Sequence, residues 1–254
     1  MSQAVDFATF CHPGDIERLY KPGWLEKIVY SHEYPFSEIT VVHQRCRSDN
    51  RQFSISVNSV SSLDHPHILF EFNLPENDDL ADHYTHGPTA PHYWKWHVIN
   101  HLIGLKVSTA KYIVFSDNDC LIRSADPDQN WIRKGIELLK EYPEILIISP
   151  GDGAVMAEAI TKEGYRLTRN VSQQLFLCER EKLALIDFNI PWNWEYLAPG
   201  EPMQEYYYML EGRIWCYLDK HNLWRCILPD HVARYWHCGR LTENGHFEDD
   251  YSNY

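Results

Sequence analysis

The sequence predicts a single α/β domain with a central, mostly parallel sheet flanked by helices. Three observations carry that prediction. The stretches YIVF at 112–115 and ILIIS at 145–149 are unbroken apolar runs rich in β-branched and aromatic residues. Such runs mark strands buried on both faces, as in a parallel sheet covered by helices. A strand, helix, strand order opens the chain, which favours parallel pairing over an all-β fold. The 254 residues are 44% hydrophobic and 23% charged, the composition of an ordinary globular chain with length enough for a sizeable core.

The elements follow in order. Asp6–Cys11 reads as a strand and His12-Pro13-Gly14-Asp15 as the loop after it. Asp15 is placed to cap a helix carrying Ile16 and Leu19 and, past Lys21-Pro22-Gly23, Trp24, Leu25 and Ile28. Glu38–His43 and Ile68–Phe72 are the next strands, with weak helical periodicity over 56–63 between them. Asn73–Pro91, full of Asp, His, Gly and Pro, is too long for a connector and reads as a functional surface loop. Trp94, His97, Val98, His101 and Leu102 recur at helical spacing within Tyr93–Leu105, ahead of the Tyr112 strand.

Beyond that strand, Asp126-Pro127-Asp128 forms a turn and cap for a helix over Trp131–Tyr142, and Ile145–Ser149 is a buried strand. Pro150–Ala154 is a flexible loop suited to closing over a ligand. Tyr165–Asn170 and Val171–Cys178 read as strands and Glu179–Ile186 as a short helix. The loop Pro199-Gly200-Glu201-Pro202 feeds a helix over Met203–Gly212, with Gly212 as its C-cap. Leu223–Leu228 and Val232–His237 are strand-like, and the tail from Glu243 is an acidic end. No repeat or linker divides the chain.

Charge narrows the partners. Lys plus Arg number 23 and Asp plus Glu 36, a net charge of −13. That balance argues against a nucleic-acid backbone, whose binding rests on Lys and Arg. It leaves room for a phosphorylated small molecule, because a divalent ion can supply positive charge locally. Seven cysteines, an odd count with no C-x-x-C pair, read as reduced thiols, with Cys11, Cys120, Cys178 and Cys216 in apolar surroundings. No run is long enough for a transmembrane segment and the first residues lack a basic signal-peptide start, so a cytoplasmic location is the expectation. Nine Trp and sixteen Tyr supply flat faces for sugar rings or bases, and equally for packing.

The chemistry concentrates at Asp117-Asn118-Asp119, directly after the buried strand. Open α/β sheets bind ligands beyond the carboxyl ends of their strands. Two hard carboxylates one residue apart there suit Mg²⁺ or Mn²⁺ shared with substrate phosphates, whereas the plain alternative is a solvated turn. His97 and His101 stand at i, i+4, but with no Glu between them at the zincin position they read as packing or surface residues. Glu201 and Glu205 stand near a helix start, where an acid is favoured by the helix dipole alone.

In order and spacing these pieces resemble the GT-A superfamily of nucleotide-sugar-dependent glycosyltransferases. The resemblance rests on the strand and loop at Thr9–Asp15, the D-x-D pattern of Asp117 and Asp119, the acid in PGEPMQEYYYMLEG and the late histidine in PDHVARYWHCG. It implies a GT-A (Rossmann-like) domain over 1–242, with a nucleotide-binding half at 1–122, an acceptor-binding half at 123–242, and a tail at 243–254. It implies Asp119 as a direct ligand of Mn²⁺ or Mg²⁺. Asp117 would bind the ribose, or the metal through water, and His237 or else His231 would complete the sphere. His12 and Asp15 would contact the base and Lys95 the diphosphate. Glu205, or else Glu201, would be the base that deprotonates an acceptor hydroxyl. Trp192, Trp194 and Tyr196 would lie toward the acceptor. The implied reaction moves a sugar from a nucleotide-diphosphate sugar, UDP-linked by expectation, to a glycan, lipid, protein or small-molecule acceptor with inversion. Two rival classes are a nucleotidyltransferase acting on sugar phosphates, for which no Gly-rich phosphate loop with a following Arg or Lys is found near the N-terminus, and a non-catalytic carbohydrate-binding protein.

Overall fold

A computed structural model of the chain describes residues 3–11, 23–45, 67–73, 100–124, 129–151, 160–186 and 210–237. The elements are β1 (Val5–Cys11), α1 (Trp24–Ser31), β2 (Glu38–Arg45), β3 (His67–Asn73), the helical stretch α2 (100–107), β4 (Tyr112–Asp117), β5 (Cys120–Arg123), α3 (Trp131–Glu141), β6 (Ile145–Ser149), β7 (Ile160–Lys162), β8 (Tyr165–Thr168), β9 (Leu175–Glu179), α4 (Arg180–Ala184), α5 (Leu210–Lys220), β10 (Trp224–Ile227) and β11 (Arg234–His237).

Among the described residues nine strands form one sheet in the order β3-β2-β1-β4-β9-β6-β10-β8-β7, and β5 pairs with β11 in a second, two-stranded sheet. β1 to β4 run in one direction. β9 is antiparallel to both β4 and β6, β10 is parallel to β6, and the β8 and β7 strands alternate beyond it. Seven of the nine strands therefore share a direction, and only β8 and β9 are reversed.

Alternation along each strand feeds two cores. Val5 and Phe7 of β1, Tyr112 and Val114 of β4, and Leu175 and Leu177 of β9 face one cluster, which α1 and α3 cover. Ala8 and Phe10, Ile113 and Phe115, and Phe176 and Cys178 face the other, covered by α2, α4 and α5. This period of two inside a doubly covered sheet explains why β4 and β6 are apolar at nearly every position. Burial of Trp131, Ile132, Ile136, Leu138 and Leu139 holds α3 on the sheet, at roughly 1.5–3 kcal/mol for each large apolar side chain. Asn130 caps that helix through Oδ1, which accepts from the Ile132 and Arg133 amides, while its Nδ2 donates to the carbonyls of His32 and Glu33.

Several expectations change. The cap of α3 is Asn130, two residues beyond Asp128. Val171–Cys178 narrows to a strand from Leu175, because 169–174 form the loop that feeds it. The 165–170 strand ends at Thr168 and belongs to a β7–β8 hairpin whose two-residue turn has positive φ at both Glu163 (51°) and Gly164 (85°). That conformation matches the strand twist and is open to glycine without strain. Gly212 is no C-cap: α5 runs from Leu210 to Lys220, with Gly212 buried inside it. Cys120–Arg123 is a strand in its own right, paired with β11. The expected features at 56–63, 74–91, 126–128, 152–154, 192–209 and 243–254 lie outside the described residues.

Candidate functional site

β1, β4, β6 and β10 all end at one edge of the sheet. From β1 the chain crosses one face through α1 to β2, while α2 leads into β4 from the other face. The strand order therefore reverses between β1 and β4, the point at which an α/β sheet opens a crevice beyond its carboxyl ends. In the register of that pair Phe10 stands beside Asp117. The Asp117-Asn118-Asp119 turn thus lies at the switch point, directly next to the end of β1.

The turn is held by three hydrogen bonds to two residues, Trp24 and Gln174. The indole Nε1 of Trp24, first residue of α1, donates to the Asn118 carbonyl at 2.9 Å. The Asp117 amide donates to the Gln174 carbonyl at 2.7 Å. That same carbonyl accepts the Cys120 thiol at 3.6 Å. Asn118 and Asp119 are buried while Asp117 is partly exposed. A solvated turn would have bared all three, so the plain alternative fits poorly.

The small sheet sets the late histidine. In the β5–β11 ladder His237 is the backbone partner of Cys120, the residue after Asp119. His231 is exposed in the turn between β10 and β11. The loop after β6 is clasped to the same strand: the Gly151 amide donates to Ala233 O, and Gly151 O accepts from the Tyr235 amide. A Cβ on Gly151 would meet Asp230 Oδ1, the end of an exposed side chain free to swing away, and would stand 3.3 Å from the Ala233 carbonyl oxygen.

Behind the turn runs a row of polar groups that the sequence reading missed. Tyr235 donates its hydroxyl to Gln174 Oε1 at 3.1 Å. The neighbouring Gln173 amide donates to Glu211 Oε1 at 2.7 Å. Glu211 lies in the first turn of α5, and burial pushes its carboxyl above the usual carboxylate range, with the Gln173 amide and the Arg225 charge pulling the other way. Arg225, fully buried on β10, donates from Nε to Ser149 Oγ at 2.9 Å and from Nη1 to Asn170 O at 3.2 Å. The signal for Glu211 was present in the apolar spacing Leu210, Ile214, Leu218, which carries the helix well past Gly212.

Of the other expected site residues, His12, Asp15, Lys95, Glu201 and Glu205 lie outside the described residues, as does His97. His101 is buried in α2, its ring centroid 4.2 Å from Phe10 and 5.3 Å from Phe115, and nearly parallel to Phe176. That is a core position, as the packing reading expected. Among the described residues no three His, Cys, Asp or Glu side chains form a group that could hold a metal. Mg²⁺ and Mn²⁺ sites of the phosphate-bound kind need only one or two carboxylates, with waters and phosphates completing the sphere. Asp117 and Asp119 fit an ion of that kind by donor chemistry. Cys120, Cys178 and Cys226 are buried free thiols and Cys216 is partly exposed. No helix among the described residues is long and apolar enough to cross a membrane.

No family model matches the chain, and no curated protein matches it by sequence. Several solved structures align over most of this chain. The 4-diphosphocytidyl-2C-methyl-D-erythritol synthase of Anaerococcus prevotii aligns at TM-score 0.49 and 8% identity, over 96% of this chain and 94% of that one. A mannosyltransferase from Pyrobaculum calidifontis, solved with GDP-Man and Mn²⁺, aligns at 0.49 and 12% identity over 96% of this chain and 59% of its own. The inositol-1-phosphate CTP transferase of T. maritima aligns at 0.46 and 10% identity, over 92% and 89%. At TM-scores below 0.5 these alignments carry no argument about residue roles, which rest on the geometry of this chain.

Proposed function

We propose that the protein is a metal-dependent transferase that moves a sugar from a nucleotide-diphosphate sugar, UDP-linked by preference, to an acceptor hydroxyl with inversion. The observation that carries this reading is the position of Asp117-Asn118-Asp119 at the switch point between β1 and β4, anchored by Trp24 and Gln174. Asp119 would hold the ion directly, with Asp117 on the ribose or on the ion through water. The backbone register of His237 beside Cys120 supports it over His231 as the further ligand. The bound ion would stabilise negative charge on the departing diphosphate.

The chain's own groups do the rest. The end of β1 borders the turn, so His12 and Asp15 in the loop that follows it would meet the base, and Lys95 the diphosphate. The acceptor must lose a proton, and we place Glu211 ahead of Glu205 and Glu201 for that task. Its carboxylate is one peptide link from the residue that holds the Asp117 amide, and burial raises its proton affinity. A higher affinity makes it a stronger base at the pH where it is still ionised.

The test is hydrolysis and transfer from UDP- and GDP-sugars with and without Mn²⁺. Turnover should require the ion, and Asp119→Ala should remove it. Metal-dependent turnover surviving in Asp119→Ala would end the assignment. The same turn would also serve a nucleotidyltransferase, because hard carboxylates suit an ion shared with nucleoside-triphosphate phosphates equally well. Pyrophosphate release from CTP and a sugar phosphate, with no sugar transfer from UDP- or GDP-sugars, would select that reading instead.

A further inference from the structure

Besides Trp24, the Asp117-Asn118-Asp119 turn is held by a residue that carries no charge. Gln174 sits in the loop that leads into β9, and its carbonyl receives the Asp117 amide at 2.7 Å and the Cys120 thiol at 3.6 Å, so it spans both ends of the turn. A carbonyl has two lone pairs, enough to receive both donors. The side chain of the same residue is fixed from the far side by the Tyr235 hydroxyl at 3.1 Å. Tyr235 belongs to β11, the strand whose register carries His237 to Cys120. The carboxylate turn and the late-histidine strand are therefore joined through one glutamine. The preceding residue, Gln173, binds Glu211 through its amide.

We propose that Gln174, gripped by Tyr235, is the positioning residue that fixes the carboxylates of Asp117 and Asp119 for a divalent cation. The inference rests on the functional reading above. An amide acceptor suits the place: an aspartate or glutamate would add negative charge beside two carboxylates, whereas glutamine takes the tyrosine hydrogen bond without it. Tyr235 is 6% exposed and Gln174 half-buried, so their bond is partly shielded from competing water and holds geometry better than an exposed one.

Mn²⁺ binding to the full-length protein, followed by the electron spin resonance of the free ion, is the measurement. Tyr235→Phe keeps the ring and the packing and removes only the hydroxyl. Gln174→Met keeps most of the volume and removes the acceptor. Each is expected to weaken Mn²⁺ binding by roughly three- to tenfold, the loss of about one buried hydrogen bond. The double variant should be no weaker than either single one, since both changes break one bond. Hydrogen exchange at the Asp117 amide should rise in all three. Unchanged Mn²⁺ affinity in Tyr235→Phe, with or without a lower Tm, would overturn the inference and reduce the pair to packing. Additive losses would overturn it too. Wild-type protein that binds no Mn²⁺ would instead sink the functional reading, and the inference with it.

Discussion

A buried carboxylate holds its proton more tightly than an exposed one, and Glu211 shows what that does to both rate and stability. Desolvation is the largest influence on it, outweighing the Gln173 amide and the Arg225 charge. A carboxyl whose folded affinity for the proton is raised contributes stability below its unfolded titration point. That contribution is lost as pH rises through the folded one. Ionising it in the folded state therefore costs more than in the unfolded chain, a pattern common at functional positions. If Glu211 is the base, activity should fall on acidification through a point above the ordinary carboxylate range. Glu211→Gln should lower kcat by about 10²–10⁴-fold, the usual worth of a positioned base. A pH–rate profile of the wild type beside that of Glu211→Gln checks this. An acid limb that survives unchanged in the variant would return the role to Glu205 or Glu201.

At the scale of elements, close approach sets what the sheet and its helices tolerate. α3 carries Gly135 on its buried face, where an added Cβ would come 2.7 Å from Leu177 Cδ2 and 3.1 Å from Ile148 Cγ2. Both neighbours are buried core residues on β9 and β6. Gly135→Ala should therefore cost stability despite alanine's better helix propensity, by about 1–3 kcal/mol as for other overpacked cores. Chemical denaturation measures it, and a stabilised variant would show that α3 can shift away from the sheet at no cost. The β5–β11 pair is the element that most alters the site. The β11 side of the ladder was legible as the strand-like run Val232–His237 and the β5 side was not, and their pairing sets the backbone position of His237.

For the whole molecule, the proposed function puts a divalent cation at the two carboxylates of the switch point in a chain of net charge −13, where it would stabilise the folded state. A ligand that binds only the native form stabilises it by about 2.7 kcal/mol at a hundred times its dissociation constant. Mn²⁺ together with UDP should raise Tm, a chelator should reverse the gain, and Asp119→Ala should abolish the response. Thermal melts with and without the ion decide it, and an equal rise in the variant would place the ion elsewhere.

The sequence by itself determined the α/β class, the β1, β4 and β6 strands and the carboxylate turn. Unbroken apolar runs and the acids that end them are local signals, readable over a few residues. It also suggested His237 over His231, but only as the end of a strand-like run. Tertiary structure decided the strand order that puts Asp117 at the reversal between β1 and β4. It decided the ladder that sets His237 beside Cys120, and it joined Gln174 to Tyr235 across 61 positions. It also carried α5 past Gly212, with Glu211 in its first turn, because Ile214 and Leu218 pack on the sheet. A glycine stop signal is local and weak, and tertiary burial overrode it. Pairing between distant strands depends on which faces are buried together, and no short stretch of sequence carries that information.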